Sequence, residues 1–268
     1  MASARTCRAS ASARAGALAL VAVLATGCGL GETDGTRPSV AAVPNAERAR
    51  PSAKAGAAVP DRFATRPGSF AIARVRAGRS IALRARPGGE RLERIGSRTE
   101  FGSRRFLAVA AREGSWLGLV SAELPNGRLG WVDGRSRALT AYRTDISLHA
   151  DLSRRQVELR EGRRVVRRFD VGIGRAGYPT PTGRFAVTDK LSGRAYGGTY
   201  GCCILALSGH QVKLPPGWPG GDRLALHGTR DQASIGNAAS TGCLRGSDRN
   251  LRALLRRVPL GAPMFIRR

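Results

Sequence analysis

The sequence predicts a mainly β protein with two β domains and one packed helix. Short runs of alternating apolar and polar residues recur from residue 68 to the C-terminus, and turns rich in Gly, Pro and Asn separate them. One clear amphipathic helical pattern occurs, over residues 248–258. A chain of 268 residues has room for two such domains behind an N-terminal leader.

Residues 1–28 predict an export signal. An arginine-containing stretch precedes the apolar run Ala15 to Ala25, which is too short to span a bilayer as a mature helix. The run ends in Leu24-Ala25-Thr26-Gly27-Cys28, which resembles a bacterial lipobox and implies that Cys28 becomes the lipidated first residue. The alternatives are a plain secretory signal cut nearby or an uncleaved anchor. The expected location is the cell envelope, on a lipoprotein that faces the cell wall.

Residues 29–66 predict a disordered linker. Large apolar residues are sparse there, and prolines recur among Ala, Arg, Thr and Gly at positions 38, 44, 51 and 60. Such a segment buries too little apolar surface to offset its chain entropy. It is therefore expected to act as a flexible tether.

Residues 67–141 predict a small antiparallel barrel or sandwich. Candidate strands are Ser80–Arg84, Phe106–Ala110, Trp116–Val120 and Gly130–Val132. The pattern of Leu83–Gly89, then Trp116-Leu117, then Gly130–Val132 resembles the bacterial SH3-like domains of wall enzymes. The resemblance implies either a module that positions the protein on the wall or a spacer.

Residues 143–268 predict a second β domain with one helix. Gln156–Arg160 and Arg163–Val171, joined by Glu161-Gly162, are typical of a hairpin. Later strands are expected near 184–188, 202–207, 223–227 and 264–267. Ser247 or Asp248 can cap a helix whose apolar positions are Leu251, Leu254, Leu255 and Val258, and Pro259 and Gly261 end it.

A cysteine and a histidine stand out in this second domain. His227 and Cys243 lie sixteen residues apart, and the stretch between them is rich in Gly, Ala, Ser and Asn. A thiol near an imidazole is the minimal equipment for acyl transfer, because the imidazole takes the proton of the attacking thiol and later returns one.

The flanking residues resemble the catalytic motif of L,D-transpeptidases of the YkuD type. That motif has a His-Gly pair, about sixteen residues, and then Ser or Thr, any residue, Gly, Cys, an apolar residue and Arg or Asn. The matching residues here are His227, Gly228, Ser240, Gly242, Cys243, Leu244 and Arg245. Upstream, Thr180–Phe185 matches the family's Thr-Pro-x-Gly-x-Phe loop, so the resemblance covers roughly residues 143–268. Thr241 stands where many members have a second histidine.

The resemblance implies a role for each residue of the motif. Cys243 would be the nucleophile and His227 the base, with the carbonyl of Gly228 fixing the ring tautomer. Backbone N–H groups around Gly242 and Cys243 would hold the oxyanion, and Ser240 and Thr241 would lie in the binding region. Arg245 either lowers the thiol pKa and binds a substrate carboxylate, or forms a structural ion pair.

The implied activity is peptidoglycan L,D-transpeptidation, with stem peptides as substrates and no cofactor. A cysteine thioester would form and a neighbouring stem amine would resolve it into a 3→3 cross-link. Resolution by water would instead give an L,D-carboxypeptidase, and resolution by a protein amine would anchor that protein to the wall. A non-catalytic wall-binding lipoprotein is the alternative of a different class.

The remaining cysteines predict neither a disulfide scaffold nor a metal site. Cys7 and Cys28 belong to the signal, which leaves Cys202 and Cys203 beside the candidate nucleophile. Adjacent residues of a strand point to opposite faces, so these two are expected to be core residues that do not bond to each other. No Cys-x-x-Cys or His cluster has zinc-ligand spacing, and no metal is expected.

The charge points to an anionic partner. The chain has 45 Lys and Arg against 19 Asp and Glu, a formal net charge of +26. Such a surface favours polyanions. Aromatic residues make up only 5% of the chain and do not interleave with basic runs, so wall polymer or membrane is expected rather than nucleic acid.

Overall fold

A computed structural model of the chain describes residues 61–268, which form two large β-sheets, a small two-stranded sheet and one α-helix. The predicted fold class, mainly β with one packed helix, is confirmed. The signal, Cys28 and the linker up to residue 60 lie outside the described residues. None of the helical segments between residues 61 and 268 has the length and apolar character that a membrane span requires.

The first sheet contains seven antiparallel strands. They are β1 (Phe70–Val75), β2 (Ser80–Arg84), β3 (Arg91–Gly96), β4 (Phe106–Glu113), β5 (Trp116–Val120), β6 (Leu129–Asp133) and β7 (Leu139–Thr144), in the order β3-β2-β6-β5-β4-β1-β7. Ile95 and Leu139, from the two edge strands, belong to one apolar cluster with residues from the middle of the sheet. The sheet therefore curls around a single core, as expected for a small barrel. The SH3-like assignment itself stays a prediction.

The prediction of a disordered linker is wrong for its last six residues. Phe63 is 1% exposed and packs into the core of the first sheet. The Arg62 guanidinium donates hydrogen bonds to the carbonyl oxygens of Gly134, Ser136 and Leu139. A single large ring in an otherwise polar segment is enough to order it, so the first domain begins before residue 67.

The second sheet contains eight strands. They are β8 (Ile146–Asp151), β9 (Gln156–Glu161), β10 (Arg164–Asp170), β12 (Gly183–Ser192), β13 (Cys203–His210), β14 (Arg223–Gly228), β16 (Leu244–Gly246) and β17 (Pro263–Arg267), in the order β10-β9-β8-β17-β12-β13-β14-β16. Two of its pairs, β17 with β8 and β14 with β16, are parallel. A separate parallel pair joins β11 (Ile173–Gly174) and β15 (Ala238–Ser240). The predicted hairpin is confirmed as β9 and β10.

The helix α1 (Asp248–Arg257) covers one face of this sheet. Its N-cap is Ser247, whose hydroxyl accepts from the Asn250 N–H, as the sequence predicts. Leu251 and Leu254 are fully buried in a core shared with Leu205 of β13 and Leu226 of β14. Because α1 follows Cys243 closely, this packing holds the C-terminal side of the candidate nucleophile.

The prediction that Cys202 and Cys203 do not bond is wrong. The two residues form a disulfide. The argument from strand geometry fails because β13 begins only at Cys203, and Gly201, with φ of 56°, places Cys202 at the end of a turn. Within residues 61–268, Cys243 is the cysteine that remains a free thiol.

The two β domains pack against each other. Ala108 and Val120 of the first sheet form a small apolar cluster with Ala186 of β12. The Arg184 guanidinium donates to the carbonyl oxygens of Val109 and Ala110 across the same boundary. The first domain therefore rests directly on the strand that neighbours β13.

Candidate active site

The candidate nucleophile and base lie on neighbouring parallel strands. The register of β14 and β16 places His227 opposite Arg245 and Leu226 opposite Leu244. Cys243 directly precedes β16, and if the alternation of that strand continues to it, its side chain is expected on the same face as Arg245. The fold thus brings the sixteen-residue motif together on the face opposite to α1.

The Cys243 thiol is partly exposed and lies against the backbone of β14. Its Sγ is 3.8 Å from the carbonyl oxygen of Arg223. Burial raises the pKa of the thiol to about 11, although a backbone hydrogen bond and the positive charge of Arg245 act in the opposite direction. Arg245 thus acts on the thiol pKa in the expected direction, but desolvation outweighs that charge and the net shift of the pKa is upward.

His227 is buried and its orientation is fixed. Its Nδ1 lies 2.6 Å from the carbonyl oxygen of Gly228, the acceptor that the resemblance implies. A carbonyl only accepts, so Nδ1 carries the hydrogen and Nε2 of the neutral ring has a free lone pair. Burial lowers the pKa of His227 to about 4, and the Arg245 charge adds to this against the hydrogen bond to Gly228.

The turn before Cys243 is shaped by Ser240 and Gly242. The Ser240 hydroxyl accepts from the Gly242 N–H at 3.0 Å and donates to the Cys243 carbonyl at 2.6 Å. Gly242 has φ of 130°, a conformation that residues with a side chain rarely adopt. Ser240 therefore acts on the backbone, and since it occupies the Gly242 N–H, the Cys243 N–H is the remaining oxyanion donor of the predicted pair.

Gly228 is required by close packing. A Cβ at this position would lie 2.3 Å from Oδ1 of Asp248 and 3.1 Å from the backbone nitrogen of Cys202. The same Asp248 oxygen accepts from the Cys202 N–H at 2.9 Å. The hydrogen bond ties the start of α1 to the turn before β13, and Gly228 packs against both partners of that bond.

Arg245 forms the ion pair that is one of its two predicted roles. It forms an ion pair with Asp231 at 3.5 Å, and its own side chain is 20% exposed. Its Nε is buried and has no hydrogen-bond partner within the described part of the chain. The guanidinium also borders a surface cleft of about 400 Å³, lined by Thr199, Thr229 and Asp231 among others. The ion pair involves Nη1, one of the two terminal nitrogens of the guanidinium, and binding of an anionic group by Arg245 stays a prediction.

Thr241 contacts a residue that the motif does not include. Its hydroxyl lies 3.4 Å from Oε1 of Gln211, and the Gln211 side chain also covers Gly242. Gln211 is 8% exposed. Where many relatives have a second histidine, this chain therefore has a threonine and a buried amide.

Tyr200 is a site residue that the sequence reasoning missed. Its ring packs edge-on against His227, with centroids 4.8 Å apart and an interplanar angle of 64°. It lies in the irregular segment between β12 and β13, where no strand or helix pattern could indicate its position. Arg223, whose carbonyl contacts Cys243, was missed because it occupies an ordinary strand position.

Together these groups can carry out acyl transfer that starts from an uncharged thiol and an uncharged imidazole. A protonated thiol and a neutral imidazole share one face, and Nε2 of His227 is available to take a proton. No three His, Cys, Asp or Glu side chains of residues 61–268 are grouped as a metal site would need. The expectation that no metal is used stays a prediction.

Two Bacillus proteins are similar to this chain along most of their own length. The YkuD protein of Bacillus licheniformis, an L,D-transpeptidase by prediction, is 30% identical over 179 residues, which are 66% of this chain and 94% of that protein. Its counterpart in Bacillus subtilis is 28% identical over 178 residues, 61% of this chain and all of that protein.

Solved structures give a looser similarity. An L,D-transpeptidase from Mycobacterium smegmatis aligns with a TM-score of 0.38 and 16% identity, covering 62% of this chain and 89% of that one.

The sequence model of the YkuD family, the L,D-transpeptidase catalytic domain, matches residues 145–266, which contain His227 and Cys243. From this match and the Bacillus relatives, the chain belongs to the YkuD family of L,D-transpeptidases.

Proposed function

We propose that this chain is a peptidoglycan L,D-transpeptidase that forms 3→3 cross-links through a thioester on Cys243. The observation that carries the proposal is the tautomer of His227, whose Nδ1 is committed to Gly228 and whose Nε2 is free on the face that also carries Cys243. A thiol and an oriented base of this kind are what acyl transfer from a peptide requires.

The first half-reaction forms the acyl-enzyme. Sγ of Cys243 attacks the carbonyl between the third stem residue and the terminal D-Ala, while its proton passes to Nε2 of His227. The Cys243 N–H stabilises the oxyanion of the tetrahedral intermediate. His227 then returns the proton to the departing amine, so that D-Ala leaves and a thioester remains.

The second half-reaction transfers the acyl group. The amine of a neighbouring stem attacks the thioester carbonyl, and His227 accepts one amine proton. As the C–S bond breaks, the departing sulfur of Cys243 takes this proton from His227, and the free thiol is regenerated. Arg245, which lines the surface cleft and pairs with Asp231 through Nη1, binds a substrate carboxylate there, since a guanidinium matches a carboxylate in planar geometry.

The acceptor decides between the related activities. Incubation of the purified full chain with a stem tetrapeptide, followed by intact-mass and muropeptide analysis, is expected to show loss of D-Ala, a covalent adduct on Cys243 and a cross-linked dimer. A tripeptide product without a dimer would show hydrolysis, and a stem joined to a protein amine would show anchoring. Absence of any adduct would favour the non-catalytic alternative.

The pH dependence of acylation is expected to reflect a neutral pair. With a His227 pKa of about 4, the base is protonated and inactive below that pH and becomes available as the pH rises through it. With a Cys243 pKa of about 11, no group of the pair titrates between roughly pH 5 and 10. The rate of Cys243 acylation, followed by mass spectrometry, should therefore rise near pH 4 and then stay level. A bell-shaped profile centred near neutral pH would instead indicate a preformed thiolate–imidazolium pair.

The chain is proposed to work in the cell envelope, attached to the membrane through Cys28. The support is the sequence Leu24-Ala25-Thr26-Gly27-Cys28 and the basic composition, which suits anionic wall polymers and lipids better than nucleic acid. Metabolic labelling with a fatty acid is expected to mark the wild type and not Cys28→Ala. Equal labelling of both proteins, or labelling of neither, would reject the lipid anchor.

A further inference from the structure

The loop at residues 97–103, between β3 and β4 of the first domain, lies against the catalytic domain. The Thr99 hydroxyl donates to Oδ1 of Asp189 at 2.5 Å. Asp189, in β12, is fully buried, and its Oδ2 has no partner within residues 61–268. A buried carboxylate is costly to leave without hydrogen bonds, so the loop contributes a bond that the catalytic domain lacks by itself.

The same loop supports the strand that flanks Cys243. Glu100 forms an ion pair with Arg223 at 2.5 Å, and the Arg223 guanidinium lies over the ring of Phe101, 5.7 Å from its centroid. The Arg223 side chain is 14% exposed. Arg223 is four residues before His227 on β14 and so projects to the same face, and its carbonyl oxygen is the one next to Sγ of Cys243.

A row of rings connects the loop to the catalytic base. Phe101 packs edge-on against Tyr196 at 6.2 Å between centroids, Tyr196 lies 6.5 Å from Tyr200, and Tyr200 lies 4.8 Å from His227. Tyr196 is 44% exposed, although its ring packs against two others. Part of its apolar surface is therefore in contact with water. The row therefore leads from the loop of the first domain to the candidate base.

We propose that the loop at residues 97–103 forms one wall of the acyl-donor cleft, and that Phe101 with Tyr196 binds the aliphatic groups of the donor stem peptide away from the scissile bond. This inference rests on the proposed function. Phe101 is half-buried and Tyr196 is exposed, so the pair retains apolar surface that can bind aliphatic groups, and such binding holds the substrate without touching the reacting atoms. Phe101 is therefore a specificity residue that the first domain supplies to the second.

The test compares Phe101→Ala with Phe70→Ala in the full chain. Phe70 is the matched control because it also makes an aromatic contact between the domains, with Phe265 at 5.9 Å, but has no contact with the row of rings. In Phe101→Ala the KM for the stem tetrapeptide should rise about 3–10-fold, the range expected for one lost aromatic contact, while kcat stays within about twofold. Phe101→Leu should restore much of the affinity, and Phe70→Ala should leave KM unchanged.

Alkylation of Cys243 by iodoacetamide distinguishes substrate binding by Phe101 from an effect of Phe101 on the reactivity of the thiol. The reagent needs the thiol but not the stem cleft, so its rate should be the same in wild type and Phe101→Ala. A slower alkylation, an unchanged KM in a folded Phe101→Ala protein, or an equal KM rise in Phe70→Ala would each overturn the inference while leaving the proposed function intact. A wild type that reacts with iodoacetamide but never turns over the tetrapeptide would refute the proposed function and the donor cleft with it.

Discussion

Replacing Cys243 with alanine is expected to abolish turnover of stem peptides and leave the fold intact. The substitution removes the sulfur that forms the acyl-enzyme, and none of the remaining groups on the catalytic face can replace it as a nucleophile under the proposed mechanism. The residue is small and half-buried, and the hydrogen bonds of its thiol are to backbone groups of β14, among them a long contact with the Arg223 carbonyl. The thermal melt should therefore stay close to that of the wild type, while intact-mass analysis with a tetrapeptide or a carbapenem shows no adduct.

The control for this experiment removes the other two cysteine sulfurs of residues 61–268. The double variant Cys202→Ser/Cys203→Ser lacks the disulfide but retains Cys243, and it should still form the adduct. Activity of Cys243→Ala near the wild-type level with an unchanged melt would disprove the assignment of the nucleophile. Loss of the adduct in a folded double variant would show that the nucleophile had been misplaced.

The catalytic motif could be predicted because its determinants are local. Gly242 must adopt a φ that favours glycine, and Gly228 must leave room for the Asp248 carboxylate. Both requirements select glycine next to a reactive residue, and these glycines are visible in the sequence. The helix after Cys243 could be predicted for a similar reason, since its cap and its apolar spacing are properties of one short segment.

The surroundings of the motif could not be predicted because they depend on contacts between distant segments. Tyr200 reaches His227 from an irregular segment, and Glu100 reaches Arg223 from the other domain. The raised pKa of Cys243 has the same origin, because burial by several segments outweighs the one nearby cation that the sequence displays. The disulfide escaped prediction because one residue of difference in where β13 begins decides whether Cys202 belongs to a strand.

Replacing His227 is expected to slow acylation of Cys243 by about 10²–10⁴-fold, the usual contribution of a positioned acid or base. His227→Gln should be tested together with His227→Ala. His227 is 3% exposed, and glutamine fills more of the volume that alanine would leave empty. Since the thiol pKa is about 11, little thiolate is present near neutral pH without a base, and both variants should regain rate as the pH approaches that value.

Thr241→Ala provides the contrast that assigns the base to His227 alone. A threonine hydroxyl cannot act as a base near neutral pH, and its hydrogen bond to Gln211 is long at 3.4 Å. Its loss should cost at most about 0.5–1.5 kcal/mol, which is a factor of roughly 2–13 in rate. The measurement is the pseudo-first-order rate of Cys243 acylation, followed by mass spectrometry across pH. If Thr241→Ala were slowed as much as His227→Ala while its melt stayed unchanged, the Thr241–Gln211 pair would have to take part in proton transfer, and the single-base mechanism would be wrong.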